Sequence, residues 1–357
     1  MRDKAIAKFN KKIRRMHKAG ALDDEAYNHK TDNTLISLDM EQLSSCDLII
    51  EAIVENVQTK SALFNKLDSI VNRNCVFASN SSSIKPGRIC PDSQRREKFA
   101  GLHFFYPVQF NTIVELIGTD ACSPGTIESL RQFAKEIGKN PLVLPEEGAF
   151  ILNKVFIYFQ VQSFRFLKEN ILSVKEIDAL IRKHIFPMGT FEFLDQVGLD
   201  VILFATKNYM EDIDYPEHIP LVLEEVQKLV DKGHLGIKTG KGFYSYTNDD
   251  ESEAESLPLR QIDDDERREY EAQVVNKLIC LYINSAYDYV EKGYCTESEL
   301  EAALNEYKGM EKGPVTLGKE VGFGKVYDLL THYYEETGEK MFYPSPALRK
   351  RAEMGKE

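Results

Sequence analysis

The sequence predicts an α/β region to about residue 147 and an all-α remainder. Three observations support this. Short apolar runs alternate with helical periodicity up to Leu144. From Phe150 onward the periodicity is helical throughout. Two similar helical stretches flank a polar, acidic segment at 247–266.

The elements follow in order. Lys4 to Ala19 reads as a basic helix stopped by Gly20. Asp47 to Ile53 is an apolar run of strand length, and Lys60 to Val71 has helical spacing. Cys75 to Ser79, Phe99 to Phe105 and Ile113 to Ile117 read as further strands. Ser123-Pro124 is an N-cap followed by a first-turn proline, opening a helix that runs to Gly138. Pro141 to Leu144 is the last strand. Such alternation implies βαβ units and a largely parallel sheet. Ser173 to Glu176 and Thr296 to Glu299 are capping boxes that open later helices.

The helical remainder repeats itself. Ile151 to Val155 resembles Val274 to Leu278 at an offset of 123 residues, and Glu176 to Ala179 resembles Glu299 to Ala302 at the same offset. Gly189 and Gly198 match Gly313 and Gly322 at 124. The expected division is 1–147, 148–246, an acidic linker at 247–266 (Asp249, Asp250, Glu251, Glu253, Glu255), and 267–357.

Composition sets limits. The 357 residues are 43% hydrophobic and 29% charged, with a net charge of −12. Such a surface disfavours non-specific nucleic-acid binding. No apolar run reaches the roughly 18–20 residues of a membrane span, and the N-terminus has no secretory apolar region. Cys46, Cys75, Cys90, Cys122, Cys280 and Cys295 form no CxxC pair. Neither a metal site nor a disulfide framework is expected, and reduced thiols suggest a cytoplasmic protein.

Three segments are candidates for chemistry. Phe77 to Ser83 is a strand end running into the hydroxyl-rich Ser79-Asn-Ser-Ser-Ser83, where an open α/β sheet binds ligands; a turn or cap uses the same residues. Gly101-Leu-His-Phe-Phe-Tyr-Pro107 sets His103 among apolar and aromatic residues, as a general base or as a satisfied core histidine. Glu115 lies within an apolar strand and would orient His103 if the two meet; otherwise it faces solvent at an edge.

Together these motifs resemble the 3-hydroxyacyl-CoA dehydrogenase family. Ser79 to Ser83 is similar to its S/T-N-T-S-S, Gly101 to Pro107 to GLHFFNP, and Phe150 to Val155 to GFIVNR. Pro187 to Asp200 is similar to PMGPFELLDxVGLD, and Gly236 to Tyr244 to GRKTGxGFY. The resemblance runs from near residue 4 to the C-terminus and matches long members with a duplicated helical domain. It implies a Rossmann-type NAD domain and NAD-dependent oxidation of (S)-3-hydroxyacyl-CoA to 3-oxoacyl-CoA, or the reverse. His103 would take the proton of the 3-hydroxyl, Glu115 would pair with His103, Ser82 would bond the C3 oxygen, and Asn153 would place the thioester end. Ala52, Glu55, Lys60 and Ser82 are implied as NAD contacts. Lys11, Lys12, Arg14, Arg15 and Lys18 match a region by the CoA phosphates. A homodimer through the helical domains is implied as well.

The chain also departs from the family. Family members open with a strand, a GxGxxG turn, a helix and a second strand. Here Gly20 is the only glycine before Gly87. The expectation is an N-terminally truncated domain whose central strand is missing, leaving its neighbour unpaired. Tyr106 stands for an asparagine near the nicotinamide, Thr190 for a proline, Gly148-Ala149 for Pro-Gly, and Ser81 for threonine. These departures support an alternative: a non-catalytic relative that binds acyl-CoA or serves as a structural, oligomerising subunit.

Overall fold

The computed structural model describes residues 2–91, 94–246, 252–253, 258–307 and 312–354. Among these, no helix is long and apolar enough to cross a membrane. Helix α1 (Arg2–Lys18) ends at Gly20, whose φ of +72° suits glycine, and forms a hairpin with α2 (Asp24–Asp32). All five of its predicted basic residues are exposed.

Strands β1 (Leu48–Glu51), β2 (Val76–Ser79), β3 (Phe99–Phe104), β4 (Ile113–Gly118) and β5 (Asn140–Pro145) form one sheet in the order 1-2-3-4-5. Only β3 and β4 run antiparallel. Both faces are covered, as long apolar strands require. On one face, α3 (Val57–Asp68) sets Phe64 against Phe77 and Phe99, with ring centroids 5.4 and 4.8 Å away. On the other, α4 (Pro124–Glu136), capped by Ser123 as its sequence predicts, packs Leu130 and Ala134 with Ala78, Ala100 and Leu102. β1 is the outer strand of the described sheet, and Val54 just beyond it is 67% exposed.

The helical part comprises α5 (Ile151–Lys154), α6 (Ile157–Glu169), α7 (Val174–His184), α8 (Thr190–Val197), α9 (Leu199–Tyr209), α10 (Pro220–Asp231), α11 (Asp264–Glu291), α12 (Glu297–Glu306), α13 (Pro314–Val321), α14 (Phe323–Thr337) and α15 (Pro346–Met354). Both predicted capping boxes form. One boundary needs correction. The expected linker at 247–266 overlaps α11, because Asp263 caps the amides of Asp265 and Glu266 and the acidic first turn suits the helix dipole. Asp249, Asp250, Glu251 and Glu255 lie outside the described residues. A single apolar core joins α5–α10 to α11–α15 and reaches β4 and β5 through Ile117, Leu142 and Leu144.

Candidate active site

The serine loop leaves the carboxyl end of β2 beside that of β1. Glu51, 2% exposed, pairs in register with Ser79 and accepts its hydroxyl at 2.7 Å. Its other oxygen accepts the Ile53 amide at 2.6 Å and the Lys60 ammonium at 2.7 Å. Lys60 also reaches Glu55 at 3.1 Å. Glu55 accepts the Ser81 hydroxyl, the amides of Ser82 and Ser83 at 3.1 and 3.2 Å, and the Ser83 hydroxyl at 3.2 Å. Burial pushes the Glu55 pKa up, but the Ser81 hydroxyl and Lys60 outweigh it and hold the carboxyl below its ordinary value. Asn80 accepts the Phe104 amide at 2.8 Å, tying the loop to β3. From the helical side, α9 closes on it. Asn208 donates to Ser83 at 2.9 Å, and the Tyr209 hydroxyl donates to the Ser82 carbonyl at 2.6 Å.

Ala52, Glu55, Lys60 and Ser82, expected at NAD, line one cleft of about 350 Å³ with Asp200, Val201 and Phe204. Within it, the 1%-exposed Lys60 holds the two carboxylates together, so its ammonium serves the loop. A glycine turn for the pyrophosphate is not among these 357 residues.

The antiparallel register of β3 and β4 sets His103 directly opposite Glu115. Nδ1 of His103 lies 2.8 Å from one carboxylate oxygen, and the residues are 4% and 0% exposed. A carboxylate only accepts, so Nδ1 donates to it, and in the neutral imidazole this tautomer leaves the lone pair on Nε2. β4 is an inner strand, which excludes the solvent-facing reading of Glu115. The second Glu115 oxygen accepts the Leu152 amide at 3.0 Å, satisfying one of the free donors at the start of α5. The rings of Phe105 and Phe150 stand 4.3 and 5.6 Å from the imidazole.

α5 joins the two clusters. Phe150 enters it with φ +63°, a left-handed conformation costly for phenylalanine. At Phe156 the turn tightens, its amide bonding Asn153 at 3.3 Å. Asn153 donates from Nδ2 to the Tyr209 hydroxyl at 3.2 Å and accepts the Tyr307 hydroxyl at Oδ1, 3.1 Å away. Next to it, Lys154 is 1% exposed, and burial drives its pKa down to about 8 despite Asp212 at 3.9 Å. Tyr106, at the family's asparagine position, is 81% exposed.

The two remaining motifs are structural. Asp195 of the first accepts the amides of Phe243 and Tyr244 in the second, at 3.0 and 2.9 Å, and the Tyr246 hydroxyl at 3.0 Å. Thr190, in place of proline, shares a hydrogen bond with Ser163 at 3.0 Å.

Four residues that bond to the candidate site lie outside the set marked from the sequence: Glu51, Asn80, Tyr209 and Tyr307. Glu51 had a usable signal, a carboxylate in an apolar strand, the same signal that marked Glu115. The tyrosines sit at helix ends with no local pattern.

Comparisons with known proteins fit this geometry. Residues 1–147 match the model described as 3-hydroxyacyl-CoA dehydrogenase, NAD binding domain. Residues 149–246 and 273–357 match the model of the C-terminal domain of the same family. Human mitochondrial hydroxyacyl-coenzyme A dehydrogenase is 39% identical over 204 residues, 57% of this chain and 64% of that protein. The chain thus spans under two thirds of that relative. A 3-hydroxybutyryl-CoA dehydrogenase of Bradyrhizobium diazoefficiens is 31% identical over 242 residues, 68% of this chain and 82% of that one. The crystal structure of 3-hydroxybutyryl-CoA dehydrogenase from Escherichia coli shares the fold, with a TM-score of 0.84, 22% identity, and coverage of 99% of this chain and 91% of that chain.

Proposed function

This chain belongs to the 3-hydroxyacyl-CoA dehydrogenase family, and on that premise we propose that it interconverts (S)-3-hydroxyacyl-CoA and 3-oxoacyl-CoA with NAD. The observation that carries the proposal is the buried His103–Glu115 pair at 2.8 Å. Nε2 of His103 takes the proton of the 3-hydroxyl, and Glu115 stabilises the imidazolium that forms. The Ser82 hydroxyl bonds the C3 oxygen. Asn153 offers its second Nδ2 proton to the thioester carbonyl. Ala52, Glu55 and Ser82 would flank NAD, which when bound exchanges a hydride with C3. The same reading keeps the division at 147 and 246, a cytoplasmic location, and a homodimer through the helical residues.

The test follows NADH absorbance after addition of acetoacetyl-CoA. Replacing His103 with alanine should lower turnover by about 10²–10⁴-fold; undiminished turnover would remove His103 as the base. Tyr106, 81% exposed at the family's asparagine position, favours a second reading, an acyl-CoA-binding relative without catalysis. Binding of acetoacetyl-CoA without binding of NADH would select it.

A further inference from the structure

We propose that Tyr307, carried by the second helical stretch, is a positioning residue that sets the side-chain amide of Asn153 in the first. The inference rests on the substrate role given to Asn153 above. It starts from the single proton of Tyr209. That proton goes to the Ser82 carbonyl at 2.6 Å, so the Tyr209 hydroxyl can only accept from Asn153. The nitrogen of the Asn153 amide must therefore face Tyr209, and its oxygen must face Tyr307. Tyr307 is the donor that matches this oxygen. With one Nδ2 proton on Tyr209, the other is aimed by the two tyrosines together.

The position of Tyr307 is itself fixed. It is the C-cap residue of α12 and is 4% exposed. Its neighbour Glu306 accepts the Thr112 hydroxyl at 2.7 Å and the Asn140 amide nitrogen at 2.8 Å, anchoring the end of α12 on the sheet domain at β5 and the start of β4. The Tyr307 ring packs against Phe105 at 4.7 Å, and Phe105 packs against His103. The ring also lines an apolar cavity of about 180 Å³ with Phe156, Phe186 and Met188. Phenylalanine at 307 would preserve that lining and remove only the hydroxyl. The second stretch thus completes a site whose other residues lie in the sheet domain and the first stretch.

The experiment is a double-mutant cycle on the full chain, with acetoacetyl-CoA binding measured by calorimetry and folding followed by thermal melting. Tyr307→Phe should weaken binding about tenfold, the effect of losing one orienting hydrogen bond. In an Asn153→Ala background the same substitution should change binding no further. Equal losses in both backgrounds would make Tyr307 merely structural and overturn the proposal, as would unchanged binding in Tyr307→Phe. If the unsubstituted chain binds no acetoacetyl-CoA, the dehydrogenase reading falls and takes this inference with it.

Discussion

At residue 178 in the first helical stretch and residue 301 in the second, a carboxylate from one helix closes the N-terminus of another. Asp178 accepts the amides of Phe191 and Glu192 at 3.1 and 3.0 Å. Glu301 accepts those of Val315 and Thr316 at 2.8 and 3.1 Å. A glycine permits each approach, since a Cβ at Gly189 or Gly313 would stand 2.1 or 2.2 Å from the carboxylate. Yet the stretches diverge at the matching Asn-Lys pairs. Asn153 and Lys154 end a four-residue helix, with Lys154 buried and Asn153 half-buried. Asn276 and Lys277 lie within an unbroken 28-residue helix, and Lys277 sits partly exposed over the Tyr333 ring at 5.0 Å. The two stretches share this cap, while the break in the helix sets the surroundings of Asn153 apart from those of Asn276.

The strongest challenge to this comparison is to replace each asparagine. Asn153→Ala should cut acetoacetyl-CoA reduction by about 10²–10³-fold, as loss of a carbonyl-binding donor does. Asn276→Ala should leave the rate within a factor of about two, since substitutions away from such features are within roughly 0.5 kcal/mol. Equal losses would mean that both copies work alike. Next come the caps. Asp178→Ala should cost about 3 kcal/mol in denaturant unfolding, because the fully buried carboxylate also accepts the Tyr244 hydroxyl at 3.0 Å. Glu301 is only partly buried, and Glu301→Ala should cost about 1 kcal/mol. A reversed order would refute burial as the cause.

A further contrast concerns the lysines. Lys154 has a folded pKa of about 8, below its unfolded value near 10.4. Between these values the unfolded chain holds the extra proton, so stability rises with pH. The gain should be about 2 kcal/mol from pH 8 to pH 10. Measured as the difference between the natural chain and Lys154→Met, this slope should be present; Lys277→Met should leave it unchanged.

Much of this was legible in the sequence. The five strands fell on apolar runs bounded by turn residues, and the caps at Ser123, Ser173 and Thr296 announced their helices. The reversal between β3 and β4 was not legible, because periodicity carries no direction. His103 and Glu115 could be paired because only twelve residues separate them and each was conspicuous in its setting. Tyr209 and Tyr307 bond Asn153 from 56 and 154 residues away, a relation that only the packed chain creates. The break after Lys154 was hidden for the same reason, since the matching residues at 274–278 stay helical.

The anchoring of Glu306 beside Tyr307 has a thermodynamic consequence. If the seam between α12 and the sheet helps to hold a ligand at Asn153, the ligand must hold the seam by the same free energy. Occupancy of the site would then brace the far half of the chain, and loosening of that half would be felt as lost affinity.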